Sequence, residues 1–430
     1  MITKRAYKYR IYPNCEQRNF FAKTFGCVRL FYNMSLNDMI KIYKEKKEYK
    51  DITPASYKEQ FQFLKEVDSL ALSNAQLNRN KAFKAFFRKQ NKFPKYKTKR
   101  NKQSYSTNNQ NGTVYLSEDY KYISLPKIKN VRIKMHRKFK GVIKTVTVSK
   151  ECDNTYYISI LVEENIEPKS KTNKSVGIDL GIKSYIVDSD SNKINNPKYL
   201  SKSLVRLEVE QRKLSHMKKD SKNRDKQRIK VARLHHHIRN QRNDFLHKLS
   251  SKYINENQVI SLEDLDIKQM EQDSTLSFFV ADASWSKFVS MLEYKGKWYG
   301  RDIIKIPTFF PSSQVCSCCG YQNEDIKDLS IREWVCPKCG SSHNRDHNAS
   351  INILNKGLDI LKARTLPVSS LTLDSKESLS EKPPLQNLRF KWWEHVTTEK
   401  INSFDEFYDK ADTAMYERKR NGKDGVAFFN

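Results

Sequence analysis

The sequence predicts a mixed α/β protein built from two or three domains. Three observations carry this. Short stretches that alternate polar and apolar residues read as strands, long stretches with apolar residues three and four apart read as helices, and the two kinds interleave along the chain. At 430 residues the chain is also long enough to bury more than one core.

The elements follow in order. Lys4-Arg5-Ala6-Tyr7-Lys8-Tyr9-Arg10-Ile11-Tyr12-Pro13 has a period near two, which predicts a strand with one wet, basic face, stopped by Pro13. From Glu16 to about Lys47, Phe21, Phe25, Val28 and Tyr32 mark a helical stripe, and a second helix is expected from Ser56 to about Lys89. Phe93 to Lys102 is too charged to fold alone; it reads as a loop that settles against a phosphate backbone, or as a solvated linker. Alternation returns from about Thr113 to Glu163, with Val142, Val146 and Val148 on one face of one strand and Tyr156, Ile158, Ile160 and Val162 on one face of the next. This order fits an N-terminal β-unit split by a helical insertion. Lys174 to Asp190 predicts a strand, a tight turn and a second strand. Leu204 to about Glu256 reads as a long helical region dense in Lys, Arg and His, and Val259 to Leu265 as a short buried parallel strand with a polar end. A helix is expected over Ser284 to Gly300, a strand over Ile303 to Ile306, and a helix over Ala349 to Leu354. Beyond Leu354 a shift to Ser, Leu, Lys and Pro predicts a loose tail.

Lys and Arg number 80 against 49 Asp and Glu, a formal net charge of +31. A field of one sign costs self-repulsion unless a polyanion neutralises it. Here the cations are spread over the whole length and interleaved with 22 Tyr and 22 Phe. That suits nucleic acid better than a membrane surface or an acidic protein, because cations meet phosphates and rings stack on bases. No stretch approaches the roughly 18 consecutive apolar residues of a membrane span, and residues 1–7 lack the apolar core of a secretory signal. A cytoplasmic protein with no membrane partner is expected.

Cys316-Ser317-Cys318-Cys319-Gly320 and Cys336-Pro337-Lys338-Cys339-Gly340 form two CxxC knuckles separated by 16 residues. Four thiolates from two such turns make the closed tetrahedron of a structural Zn2+, and the following glycine permits each turn. Cys318 leaves the register of the first knuckle ambiguous; Cys316 and Cys319 are chosen because they alone give the two-residue gap. Redox cysteines are the competing reading, disfavoured because they usually come as one pair. Cys15, Cys27 and Cys152 are scattered and read as inert core residues.

Hydrolysis of a phosphodiester at neutral pH needs an activated water and charge relief on the leaving oxygen, which a pair of divalent metals roughly 3.5–4 Å apart supplies. Hard Mg2+ ions take oxygen ligands, so the protein contributes carboxylates. Three candidates stand at or near element ends, where ligands collect in open α/β sheets: Asp179 in Gly-Ile-Asp-Leu-Gly, Glu263 at the end of Val-Ile-Ser-Leu-Glu, and Asp346 before the last helix. Each taken singly also reads as a surface or capping residue.

These stretches together resemble a known family. Gly177-Ile178-Asp179-Leu180-Gly181-Ile182-Lys183, Ile260-Ser261-Leu262-Glu263-Asp264-Leu265 and Asn344-Arg345-Asp346-His347-Asn348-Ala349-Ser350 are similar to the three RuvC segments of the transposon-associated TnpB nucleases, relatives of the type V CRISPR effectors. Ala281 to Trp285, Leu292 to Gly296, Phe310 to Gln314, Tyr9 to Pro13 and Phe93 to Lys97 resemble further signature stretches. The resemblance covers roughly residues 1 to 356. It implies an RNase H-like RuvC α/β domain at 173–310 and 341–356 with an inserted zinc-binding segment at 311–340. It also implies an N-terminal β-barrel-like wedge domain at 1–14 and 110–172, split by a helical recognition insertion at 15–109, and a tail at 357–430.

The function implied is a bacterial RNA-guided DNA endonuclease, with Asp179, Glu263 and Asp346 holding two Mg2+ or Mn2+ ions. A guide RNA from the transposon end pairs with a double-stranded target, so the protein reads only a short flanking motif. Ser73, Asn74, Gln76, Thr107 and Asn108 are candidates for that contact by position, because amides and hydroxyls reach base edges. Arg345 is a candidate for holding the scissile phosphate, or for a structural salt bridge. A nuclease-inactive, RNA-guided DNA-binding repressor is the alternative, disfavoured because all three acids are present; a transposase that itself moves DNA is a third reading. Phe404 to Lys423 resembles the last helix of a diguanylate cyclase (GGDEF) domain, without the active-site stretch.

Overall fold

The computed structural model describes residues 2–46, 51–272, 277–328 and 330–365. Among these, strand alternation builds a seven-stranded antiparallel sheet from β1 (Ile2–Tyr12), β2 (Gln103–Asn108), β3 (Tyr115–Leu116), β4 (Tyr122–Leu125), β5 (Ile128–Lys134), β6 (Val142–Lys150) and β7 (Tyr156–Asn165). Their order is β2-β6-β7-β1-β5-β4-β3. The opening strand is therefore central, paired with β7 from Ile2↔Asn165 to Ile11↔Tyr156 and with β5 from Arg10↔Lys134 to Tyr12↔Arg132. Tyr7, Tyr9 and Ile11 face inward, and Lys4, Lys8, Arg10 and Tyr12 face out.

The inner face is covered by α1 (Cys15–Lys46). Asn14 and Gln17 start this helix with a reciprocal cap, each side-chain oxygen accepting the other's backbone N–H at 2.8 and 3.0 Å. Phe21 and Phe25 pack on Tyr105, and Phe21 on Tyr156, with centroids 5.8–6.2 Å apart.

The helix expected from 56 to 89 is broken. It forms as α2 (Ala55–Lys58), a 3-10 turn (Gln62–Lys65) and α3 (Ser69–Phe87). The Asp68 carboxylate accepts from Leu70 N and so starts α3 afresh. Leu64 and Val67 are fully buried three residues apart, which imitates a helical stripe outside a helix. The inserted segment also ends earlier than residue 109, since β2 is a strand of the sheet. The loop from Phe93 to Lys102 settles on the protein itself. Asn33 exchanges two hydrogen bonds of 2.8 Å with the Lys97 backbone, the Lys97 ammonium lies 4.0 Å from the Tyr32 ring centroid, and Phe93 packs against Phe83 and Phe86.

The second sheet has five strands, in the order β10-β9-β8-β11-β12. They are β8 (Ser175–Leu180), β9 (Ser184–Asp188), β10 (Lys193–Asn195), β11 (Val259–Glu263) and β12 (Asp302–Ile306). β8, β9 and β10 form an antiparallel meander, while β11 runs parallel to both β8 and β12. The helical region between β10 and β11 is a hairpin of α4 (Tyr199–His216) and α5 (Lys222–Glu256), broken where Ser221 caps α5 by accepting from Arg224 N. α6 (Ile267–Gln272), α7 (Ser277–Ala283) and α8 (Trp285–Tyr299) follow β11. A short hairpin, β13 (Glu333–Val335) with β14 (Ser342–Asn344), precedes α9 (Arg345–Thr365). The last helix is longer than expected at both ends, so Asp346 lies in its first turn and residues 355–365 continue it.

Alternation sorts the two faces of this sheet. Val176, Ile178, Ile260 and Leu262 enter a core with Leu246 and Tyr253 of α5 and Phe288 and Leu292 of α8. The opposite face lies under α9. A Cβ on Gly177 would collide with the carbonyl oxygen of Ser350 and lie 2.7 Å from Leu354 N, and one on Gly357 would collide with the Ser261 hydroxyl. Backbone and helix touch with no side chain between them. Gly177→Val should therefore force α9 off the sheet and cost about 1–3 kcal/mol or more, checked as a lowered denaturant midpoint.

Candidate functional site

Asp179 is two residues beyond Gly177, and Glu263 two beyond Ser261, so both point to the face on which α9 lies. The parallel register pairs Ser261 with Gly177 and Leu262 with Ile178. One step further along that register sets Glu263 beside Asp179 at the carboxyl ends of adjacent strands. α9 begins there, and Asp346 in its first turn is favoured by the positive end of the helix dipole. The structure thus brings the three acids together.

Their electrostatics agree. Burial, then the charges of Glu263 and Asp346, push the Asp179 carboxyl up to about 8, against the pull of Arg345 and Arg332. Burial also raises Glu263, partly offset by the hydrogen bond that Ser312 Oγ donates to its Oε1. Arg332 meets Asp346 Oδ1 at 3.3 Å. Among the described residues, the groups whose donor atoms all lie within 4.8 Å of one another are cysteine-based. The three carboxylates stand wider apart than that.

The cysteine cluster sits between β12 and α9. Cys316, Cys319, Cys336 and Cys339 converge, with Cys316 and Cys339 sulfurs 3.7 Å apart and Cys319 and Cys336 sulfurs 3.6 Å apart. Tetrahedral Zn–S bonds of ~2.3 Å imply edges of ~3.8 Å, so the four thiols fit that ion. The two knuckles match in backbone: Gly320 N donates to Cys316 O and Gly340 N to Cys336 O, both at 2.9 Å, with glycine φ of +74° and +71°. His343 Nε2 lies 3.0 Å from Cys316 Sγ, and Cys316, Cys318 and His343 form a second, overlapping group. Cys15 and Cys152 are exposed and only Cys27 is buried, which corrects the expectation of three core cysteines. Cys15 opens a helix and Cys152 lies in the β6–β7 turn, each flanked mostly by polar and charged residues that keep it at the surface.

The segment also clasps the acids. Besides Ser312 and Arg332, Asn352 Nδ2 donates to Ser312 O and Val315 O, and Asn348 Nδ2 to Val315 O, at 2.6–2.8 Å. Ser312 and Arg332 were not singled out from the sequence. Ser312 lies in a signature stretch, whereas Arg332 carries no signal of its own.

Other expected sites fare differently. Arg345 is buried, donates from Nη1 to Asp328 O at 2.7 Å, and its charge acts on Asp179. Thr107 is fully buried on β2 and cannot reach a base edge. Asn108 Oδ1 accepts from Thr145 Oγ1 at 3.1 Å. Ser73 and Asn74 donate to carbonyls one turn back in α3, and Gln76 to Asp51, so these three are half-buried and already partnered. The sequence brings them near one another only as residues of one helix.

Three family models match the chain: a helix-turn-helix domain of the OrfB_IS605 type at residues 1–48, an OrfB_IS605 model described as a probable transposase at 157–273, and a Cas12f1-like TNB domain at 285–353. A Streptomyces pristinaespiralis protein that carries the name of an RNA-guided DNA endonuclease is 37% identical over 362 residues, covering 83% of this chain and 90% of that one. The chain belongs to the TnpB family. A second relative in the comparison, InsQ of Escherichia coli K12, is 29% identical over 386 residues, with 83% of this chain and 93% of InsQ covered, and its name also describes an RNA-guided DNA endonuclease. A Cas12f1 chain from a complex with sgRNA and target DNA superposes with a TM-score of 0.54 at 14% identity, over 82% of this chain and 99% of that one, and shows a shared fold. Within the span of the helix-turn-helix model, this TnpB-family chain has one strand and one continuous helix among its described residues. The stretch resembling a diguanylate cyclase helix lies outside the described residues, and the matching family models end at residue 353. Among the described residues no helix is long and apolar enough to cross a membrane.

Two outcomes follow from the site. Asp179 has a folded pKa above its unfolded one, so the native state holds more protons between about pH 4 and 8 and loses stability as pH rises through that window. Protein without added Mg2+ or Mn2+ and without chelator should melt progressively lower from pH 5 to pH 8, and Asp179→Asn should flatten that slope. Cys336→Ser should release the metal from an incomplete tetrahedron and lower the melting temperature, read by metal analysis alongside thermal unfolding.

Proposed function

We propose that the chain is a transposon-encoded RNA-guided DNA endonuclease, cutting by metal-dependent phosphodiester hydrolysis at Asp179, Glu263 and Asp346. The observation that carries the reading is the convergence of these acids, from segments far apart in sequence, on one end of the α9-covered face of the second sheet. The antiparallel meander continued by two parallel strands supports a RuvC-like, RNase H-like layout for residues 173–310 and 341–365. The seven-stranded sheet supports a wedge domain split by α1, α2 and α3.

The donor set fits a hard divalent cation. All three ligands are carboxylates, and their mutual repulsion is what a dication would relieve. Asp179, Glu263 and Asp346 would hold Mg2+ or Mn2+. Such ions lower the pKa of the attacking water and neutralise charge on the leaving oxygen. Ser312 fixes the rotamer of Glu263 through Oε1, Arg332 turns Asp346 toward the cysteine segment, and Arg345 spans from α9 to the Asp328 carbonyl and sets the start of α9. The four cysteines would hold Zn2+ with no open position, so their role is to brace these contacts.

The net charge of +31 supports a bound polyanion, read here as a guide RNA from the transposon end that pairs with one strand of a double-stranded target. Ser73, Asn74, Gln76 and Asn108 stay candidates for reading a flanking motif, by exchanging their internal partners for base edges. All three acids are present and act on one another, and nothing favours a binding-only repressor.

The test is Mg2+-dependent cutting of a target plasmid by the purified ribonucleoprotein. Asp179→Ala and Glu263→Ala should each lower cleavage roughly a hundredfold or more while leaving target binding intact. Wild-type protein that binds target and cuts no faster than Asp179→Ala would overturn the assignment.

A further inference from the structure

The outward face of the seven-stranded sheet carries exposed aromatic rings. Tyr12, Arg132 and Tyr122 lie in one cross-strand row: Tyr12 pairs with Arg132 across β1 and β5, and Arg132 with Tyr122 across β5 and β4. Tyr12 and Tyr122 are 42% and 41% exposed, and Tyr115 on the edge strand is 50% exposed. The rings are interleaved with cations. The guanidiniums of Arg10 and Arg132 lie 5.0 and 5.9 Å from the Tyr12 ring centroid, and Lys134 pairs with Arg10 two register positions along, on the same face. The β3–β4 turn at this end of the sheet carries two acids, Glu118 and Asp119, of which Asp119 is matched by Lys121 at 3.3 Å.

We propose that this row is a base-stacking platform for an unpaired segment of RNA. Flat rings and guanidinium planes present π-faces that bases stack on irrespective of sequence, and the flanking Arg10 and Lys134 meet the phosphates between successive bases. A duplex hides its base faces and gains nothing from exposed rings, so the occupant is single-stranded. Charge complementarity argues against a neutral or basic peptide, because neither uses the cations that separate the rings. The occupant in the guided complex is the unpaired part of the guide, which rests on the reading that the chain binds one.

Cross-strand Tyr–Arg pairs also stabilise sheets, and the experiment separates the two roles. Fluorescence anisotropy of the full chain is measured with a short oligo(A) RNA, with an abasic ribose-phosphate strand of the same length, and with an RNA duplex. Wild type should prefer oligo(A) to the abasic strand. Tyr12→Ala and Tyr122→Ala should each weaken oligo(A) binding about tenfold with abasic and duplex binding unchanged, and Tyr12→Phe should retain the preference. Equal binding of oligo(A) and abasic strand by wild type overturns the platform. So does a lowered melting temperature in the alanine variants with no change in the preference for bases, which would leave the row a structural feature. If base-dependent binding holds while no plasmid is cut, the endonuclease reading fails and the platform stands; cleavage with no base dependence has the opposite meaning.

Discussion

A helix lies in backbone contact with two strands only where no side chain intervenes, and α9 does so at Gly177 and Gly357. That approach fixes the axial position of α9 along β8 and β11 to within a fraction of a turn. Its first turn then falls at the ends of those strands, and an acid placed there faces acids that leave the strands on the same side. Alternation supplies the direction of Asp179 and Glu263, and the helix supplies Asp346. Two glycines thus do for the geometry what no single acid could do for itself.

The cysteine segment completes the arrangement. It departs from β12, returns into α9, and holds both: Ser312 reaches Glu263, Arg332 reaches Asp346, and Asn348 and Asn352 on α9 grip the backbone of Val315 and Ser312. A closed thiolate tetrahedron is a rigid way to keep the two arms of such a clasp at fixed separation. The segment is remote in sequence from Asp179 and close to Asp346, yet its contacts reach Glu263 as well as Asp346.

The four cysteines were legible because paired thiols with a turn glycine carry their own physics; Asp179 and Glu263 end apolar strands, but each acid taken singly reads as a surface or capping residue, and it is the family resemblance that joins the three. Long elements with one clear stripe, such as α1, were legible as well. What could not be read were interruptions and partners. Leu64 and Val67 keep a helical spacing through a 3-10 turn, and the break appears only as the Asp68 cap. Thr107 looks like any polar residue until β2 is seen to bury it at the sheet edge, and Arg345 looks free until its guanidinium is found on the Asp328 carbonyl. Charge alone also misled over Phe93 to Lys102, which finds its partners in Asn33, Tyr32 and Phe83.

The central place of β1 bears on how the chain is made. Its two neighbours, β5 and β7, emerge some 120 to 150 residues later, so at roughly 5–20 residues per second the strand is out for about ten seconds before either can pair with it. During that interval its apolar face has α1 for company and its other face shows Lys4, Lys8 and Arg10 to water. Those cations discourage the unpaired edges of two nascent copies from zipping together, so the residues on the outer face of this central strand also act as gatekeepers during synthesis.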